Sequence, residues 1–223
     1  VSQDEQIHKD VQEQLKSLRL DPDRPLIITD ADEVLFNFMV GLESYLEEEG
    51  LYFDWSSFAL HGNIRRKDTQ IPLEAEAIGH LINDFFDRQC HSLPAVEGAA
   101  EHLATLSNHA QIVVLSNVPP KYADKRRTSL IENGMDFPLI ANVGPKGRVV
   151  KHMTDHVTRP AFFIDDIPHN HQSVSKHAAP VNRLHYIADP RLSALLGPAE
   201  HCHVRLESWP DIQTHIFSTL EKG

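Results

Sequence analysis

The chain has 223 residues, 41% of them hydrophobic, and a formal net charge of −11. That length suits one α/β domain with a modest insertion, and that charge disfavours binding to nucleic acid or to an anionic membrane surface, since both are polyanions. The two cysteines, Cys90 and Cys202, form neither a CxxC metal motif nor a disulfide framework. No apolar run approaches the roughly 20 residues that span a bilayer, and the polar opening stretch is unlike a signal peptide, so a soluble protein of the reducing cytoplasm is expected.

Residues 1–20 place Ile7, Val11, Leu15 and Leu18 at helical spacing between polar side chains, which predicts an amphipathic helix. The Pro22 and Pro25 segment breaks it and leads into a buried strand, Leu26 to Thr29. The next comparable strand, Ile112 to Leu115, comes about eighty residues later, far more than a parallel pair needs, so an insertion over 38–92 is expected between them. Within it, helical patterns run from Val40 to Glu49, stopped by Gly50, and from Pro72 through Leu81, Phe85 and Phe86. Downstream, helices are predicted at 99–106, after Pro119-Pro120 up to Gly134, at 147–157, near 170–178 and from Pro210 to Leu220. Strands are predicted at 139–143, 161–164 and 182–187. Such alternation predicts a Rossmann-like, doubly wound parallel sheet, with a core of residues 1–37 and 93–223 and a small helical cap over 38–92.

The chemistry collects where strands end. Leu26 to Thr29 runs into Asp30-Ala31-Asp32, and Ala161 to Ile164 runs into Asp165-Asp166. Side chains two apart on an extended strand point to the same side, so Asp30 and Asp32 can converge just beyond the strand. With the later strand alongside, four carboxylates meet, and the usual remedy for their repulsion is a hard cation such as Mg2+ with oxygen ligands.

Four motifs in order resemble those of the haloacid dehalogenase superfamily. Asp30-Ala31-Asp32-Glu33-Val34 is similar to the family's DxDx[T/V] signature, although Glu33 stands where glycine is often found. Ile112 to Ser116, followed by Asn117, is similar to its strand ending in Ser or Thr. Lys146, in Gly144-Pro145-Lys146-Gly147, matches its lysine, with Lys151 as a rival, and Phe162 to Asp166 with Asn170 matches the last motif. The resemblance covers about 26–187. It implies an Asp30 nucleophile, an Asp32 acid and base, and phosphate contacts from Ser116, Asn117 and Lys146. It also implies Mg2+ held by Asp30, Asp32, Asp165 and Asp166, of which Asp166 ranks first as direct ligand because Asn170 then stands at the family's supporting position.

Outside these motifs plainer readings are preferred. Arg65-Arg66-Lys67 reads as a solvated basic turn rather than a grip on an anionic substrate, and Phe53, Trp55 and Phe58 as the insert's own core rather than a specificity pocket. His152 and His156, His169 and His171, and His201 and His203 lack the ligand set of a structural zinc site and read as surface or capping residues. The expected function is a Mg2+-dependent phosphatase of a small phosphate monoester. A binding protein without turnover, a 2-haloacid dehalogenase and a phosphomutase are the alternatives. Asp32 speaks against the dehalogenase, whose halide leaving group needs no acid. Substrate identity and oligomeric state are not legible.

Overall fold

The architecture was determined as a computed structural model, which describes residues 6–222. In chain order it contains α1 (Lys9–Ser17), β1 (Leu26–Thr29), α2 (Phe38–Glu48), β2 (Leu51–Phe53), β3 (Ile64–Arg66), α3 (Ala75–Gln89), α4 (Ala99–Ser107) and β4 (Gln111–Ser116). A 3-10 turn, Pro120–Tyr122, then opens α5 (Ala123–Glu132), followed by β5 (Leu139–Ala141), α6 (Gly147–Thr154), β6 (Ala161–Asp165), α7 (Pro168–His177), β7 (Asn182–His185), α8 (Pro190–Ala194), β8 (Val204–Arg205) and α9 (Trp209–Leu220).

Six strands form one parallel sheet in the order β5-β4-β1-β6-β7-β8. The two-residue β8 and the short α8 were absent from the sequence-level expectation, because neither is long enough to carry a periodicity. Both faces of the sheet are covered, so strand residues sort by alternation: Ile27 joins one apolar cluster with Ile112 and Phe162, while Leu26 and Ile28 join another with Val113 and Phe163. The first turn of the expected N-terminal helix includes residues 1–5, which lie outside the described residues. α1 starts at Lys9 and docks Val11 and Leu15 onto the second cluster, and the chain is already extended at Leu18.

Between β1 and β4, the insert folds as α2 and α3 with an antiparallel hairpin of β2 and β3. The hairpin takes up part of the aromatic stretch, and it also delays α3. Pro72 bridges to Arg65, and the Leu73 N–H donates to the Ile64 carbonyl, so the chain stays extended until Glu74. Phe38, Tyr45, Phe85 and Phe86 form a ring-on-ring aromatic core where α2 meets α3.

Register positions the site. Thr29 pairs with Ile164 on one side and Val114 on the other, and the Asp30 N–H donates to the Ile164 carbonyl at 2.8 Å. The carboxyl ends of β1, β4 and β6 are therefore level, and the loops leaving them border one crevice, the usual place for ligands in an open α/β sheet.

Candidate active site

Asp30 and Asp165 leave adjacent strands side by side, and Lys146 at the start of α6 enters between them. Its ammonium lies 2.8 Å from Asp30 Oδ1 and 2.7 Å from Asp165 Oδ2 and is fully buried. Burial disfavours that ammonium, yet the Asp165 and Asp30 carboxylates outweigh it and hold its pKa above the ordinary lysine value. The lysine reaches this point because α6 packs unusually close to α7. A Cβ on Gly147 would lie 2.1 Å from the Ser173 carbonyl oxygen, and the Gly147 N–H donates to Ser173 Oγ at 3.0 Å. Lys151 lies a turn further along α6, exposed and paired with Asp155 at 2.5 Å, away from the carboxylates.

The Asp165 oxygens are taken up inside the protein. Oδ1 accepts from the Ile167 N–H at 2.8 Å and from Asn170 Nδ2 at 3.0 Å, while Oδ2 accepts from Lys146. Asp166 differs: its buried Oδ1 has no hydrogen-bond partner among the described residues. Burial, then the neighbouring Asp165 and Asp30 charges, push the Asp166 carboxyl well above the usual carboxylate range, and burial also raises Asp30, with Lys146 pulling the other way. Oxygens of Asp30, Asp165 and Asp166 lie within 4.8 Å of one another. An all-oxygen donor set with one orphaned, buried carboxylate oxygen fits a hard divalent cation such as Mg2+.

Asp32 lines the same crevice but is not one of these three carboxylates. Its Oδ1 accepts from Arg126 Nη2 at 2.5 Å. Arg126, on α5, is fully buried, packs over the Phe36 ring at 4.7 Å, and leaves its Nε and Nη1 without partners. Burial raises the Asp32 carboxyl and Arg126 opposes the rise. Sequence reasoning missed Arg126, since the neighbouring Lys125 and Arg127 make it look like part of an exposed basic stretch. The missed signal is the helical spacing of Tyr122, Arg126, Ser129 and Leu130, which share the buried face of that segment.

Glu33 takes the left-handed conformation, with φ +58°, where a glycine would be unstrained. Its carboxylate accepts from the Met39 N–H at 2.6 Å and the Asp189 N–H at 2.8 Å, tying the insert's first helix to the loop after β7. Burial pushes its carboxyl up to about 7 against those two bonds.

Ser116 is buried, and its Oγ accepts from the Val118 N–H at 3.1 Å. Asn117 faces the crevice and braces the neighbouring loop, donating to the Gly144 carbonyl at 3.3 Å and accepting from Asn142 Nδ2 at 2.8 Å. His171 is not the surface residue its spacing suggested. It and His185 are buried edge to face behind the carboxylates, and their Nε2 atoms lie 2.9 and 3.0 Å from the Asp165 and Asp166 carbonyl oxygens. Burial lowers both imidazoles to about 4, so each is neutral at pH 7 and donates through Nε2.

The basic turn of the insert stays outside the crevice: Arg65 pairs with Asp54 at 3.0 Å and Lys67 with Glu47. Phe58, by contrast, lines the crevice, whereas Phe53 and Trp55 pack edge to face on each other.

No protein-family model matches the sequence, and a search of curated proteins returned no match. Solved structures do match. A haloacid dehalogenase-like protein of unknown function from Agrobacterium tumefaciens is 16% identical with a TM-score of 0.60, covering 87% of this chain and 98% of that one. A HAD family hydrolase from Deinococcus radiodurans, with bound phosphate and sodium, is 16% identical with a TM-score of 0.59, covering 89% and 97%. A haloacid dehalogenase-like hydrolase from Streptococcus pneumoniae is 11% identical with a TM-score of 0.58, covering 86% and 98%. At these identities the likeness is one of architecture, and the fold of this chain is the haloacid dehalogenase-like fold.

Proposed function

We propose that the chain is a metal-dependent phosphatase of the haloacid dehalogenase superfamily, acting on a small phosphate monoester through an aspartyl-phosphate on Asp30. The observation that carries this reading is the meeting of Asp30, Lys146, Asp165 and Asp166 at the ends of β1 and β6, with one buried carboxylate oxygen left unpartnered. Asp30 and Asp166 would hold Mg2+ through their side chains, Asp32 through its carbonyl, with Asp165 next to them. When bound, the cation supplies positive charge that offsets the repulsion between a carboxylate nucleophile and a phosphate dianion.

In the first step an Asp30 oxygen attacks phosphorus and the phosphorus–alkoxide bond breaks, with Asp32 giving its proton to the departing oxygen. In the second, water attacks the same phosphorus, Asp32 takes the water's proton, and the Asp30–phosphorus bond breaks to release phosphate. Lys146 steers the nucleophile and neutralises the transferred group, and Asn117 stands at the crevice for its oxygens. Burial raises the Asp32 carboxyl, the direction that favours a proton-donating role, while Arg126 opposes it. The insert, contacting the crevice through α2 and α3, acts as the cap that limits access.

The test is phosphate release from a panel of simple esters with and without Mg2+. Metal-dependent release that falls by at least about 10³-fold in Asp30→Asn is expected. An Asp30→Asn variant with undiminished release would remove Asp30 as the nucleophile. A second reading, metal binding without turnover, draws on the Asp32–Arg126 ion pair, which holds one oxygen of the acid away from the crevice. It predicts Mg2+ binding by calorimetry with no release from any ester.

A further inference from the structure

We propose that the crevice selects esters of apolar, uncharged alcohols or phenols and rejects substrates with a second anionic group. This rests on the phosphomonoester reading above and concerns the part of the substrate that leaves. The crevice is a cavity of about 300 Å³ with Asp30, Asp166 and Lys146 at one end. Apart from Asp32, Glu33, Asn117 and Asn170, the rest of its wall is apolar, with Phe38, Met39, Phe58, Leu60 and Phe86 from the insert and Leu192 from α8.

Charge points the same way. Among the described residues lining the cavity, Lys146 is the one cation, and its ammonium sits between Asp30 and Asp165 at the reacting end, where it serves the phosphoryl group rather than the leaving group. Glu33 and Asp32 bring two further carboxyl groups to the wall, and neither can serve as a counter-charge for an anion. Three of the insert's four cations turn elsewhere, Arg65 to Asp54, Lys67 to Glu47 and Arg88 to Glu49 at 2.9 Å, and the fourth, Arg66, does not line the cavity. A carboxylate or second phosphate on the leaving group would therefore be stripped of water against apolar side chains with no counter-charge, whereas an aromatic or short aliphatic group exchanges water for those same side chains. The volume, at the small end for ligand sites, suits one ring or a short chain beside the phosphoryl group.

The experiment compares kcat/KM for phenyl phosphate, methyl phosphate and phosphoglycolate in the presence of Mg2+. Phenyl phosphate is expected to exceed phosphoglycolate by about ten-fold or more, and Leu60→Lys, which brings a cation into the wall, to shift that ratio toward phosphoglycolate by about ten-fold. In parallel, calorimetry on the Asp30→Asn protein compares phenylphosphonate with phosphonoacetate, and the aromatic ligand is expected to bind about ten-fold more tightly. Release that favours phosphoglycolate, or equal binding of the two phosphonates, overturns the selectivity while leaving the phosphatase intact. Absence of release from every ester overturns the phosphatase, and the calorimetric comparison then still decides what the cavity prefers.

Discussion

Among the described residues, Arg126 and Lys146 are the two fully buried cations beside the site, Arg126 held by Asp32 and Lys146 by both Asp30 and Asp165. Removing one member of such a pair leaves the other charge stranded, and that costs more than the pair itself is worth. Lys146→Met is expected to destabilise the fold by about 3–5 kcal/mol in urea unfolding, with added Mg2+ recovering part of the loss by neutralising the same carboxylates. Arg126→Met is expected to cost less, roughly 2 kcal/mol, because the Asp32 side chain keeps 20% exposure and water can reach it. Arg126→Lys keeps the charge but not the planar guanidinium that lies over the Phe36 ring, so it should recover only part of that stability. The buried histidines give a pH dependence. His171 and His185 have folded-state pKa values of about 4 against about 6.5 when unfolded, so the unfolded chain binds more protons between those limits. Their contribution to stability is complete above about pH 6.5 and is lost as pH falls toward 4. Imidazole NMR should show both rings neutral at pH 5, and a ring protonated there would contradict the buried, carbonyl-facing geometry.

Secondary structure delivers these side chains with little slack. Alternation within β1 sends Ile27 to one face and Leu26 and Ile28 to the other, so a buried strand of four residues is fully committed to the core before it releases Asp30. On the other side of the site, the approach of α6 to α7 depends on the missing side chain of Gly147. Gly147→Ala would drive a methyl group against the Ser173 backbone, which cannot rotate out of the way. The expected outcome is a loss of about 1–3 kcal/mol, seen as a lowered Tm, together with a fall in the proposed phosphate release as the start of α6 shifts and carries Lys146 with it. If Gly147→Ala kept both, the contact between the two helices would be looser than the geometry indicates. The strand ends, the lysine turn and the general run of helices were legible because each rests on a local pattern of a few residues. The hairpin of β2 and β3 was not, because strands of three residues carry too short an alternation, and Pro72 looked like a helix start when it is held extended by Arg65.

Across the whole molecule, the insert and the core are fastened at two edges of the crevice. On one edge Arg191 of α8 grips Glu43 of α2 at 3.1 and 2.6 Å, donates to Asp189 at 2.7 Å, and lies 4.0 Å over the Trp55 ring. On the other, Lys125 of α5 reaches Asp87 of α3 at 2.8 Å. Both edges are solvent-exposed, so each ion pair contributes only about 0–1 kcal/mol to overall stability. Their effect is expected in opening rather than unfolding: Arg191→Ala should speed amide hydrogen exchange in the α2 amides nearest the crevice while shifting Tm by only a few degrees. Unchanged exchange would mean that Glu33 and the Lys125–Asp87 pair fasten the insert without help from Arg191. The sequence by itself determined the alternating strand and helix order, the placing of carboxylates at strand ends and the lysine before α6, because periodicity and turn chemistry act over neighbouring residues. Only the tertiary structure decided that Asp32 meets Arg126, that Asp165 is saturated while Asp166 keeps a free oxygen, and that the insert faces the crevice with apolar side chains. Those outcomes depend on which distant segments share a dielectric environment, and charge and burial act through space rather than along the chain.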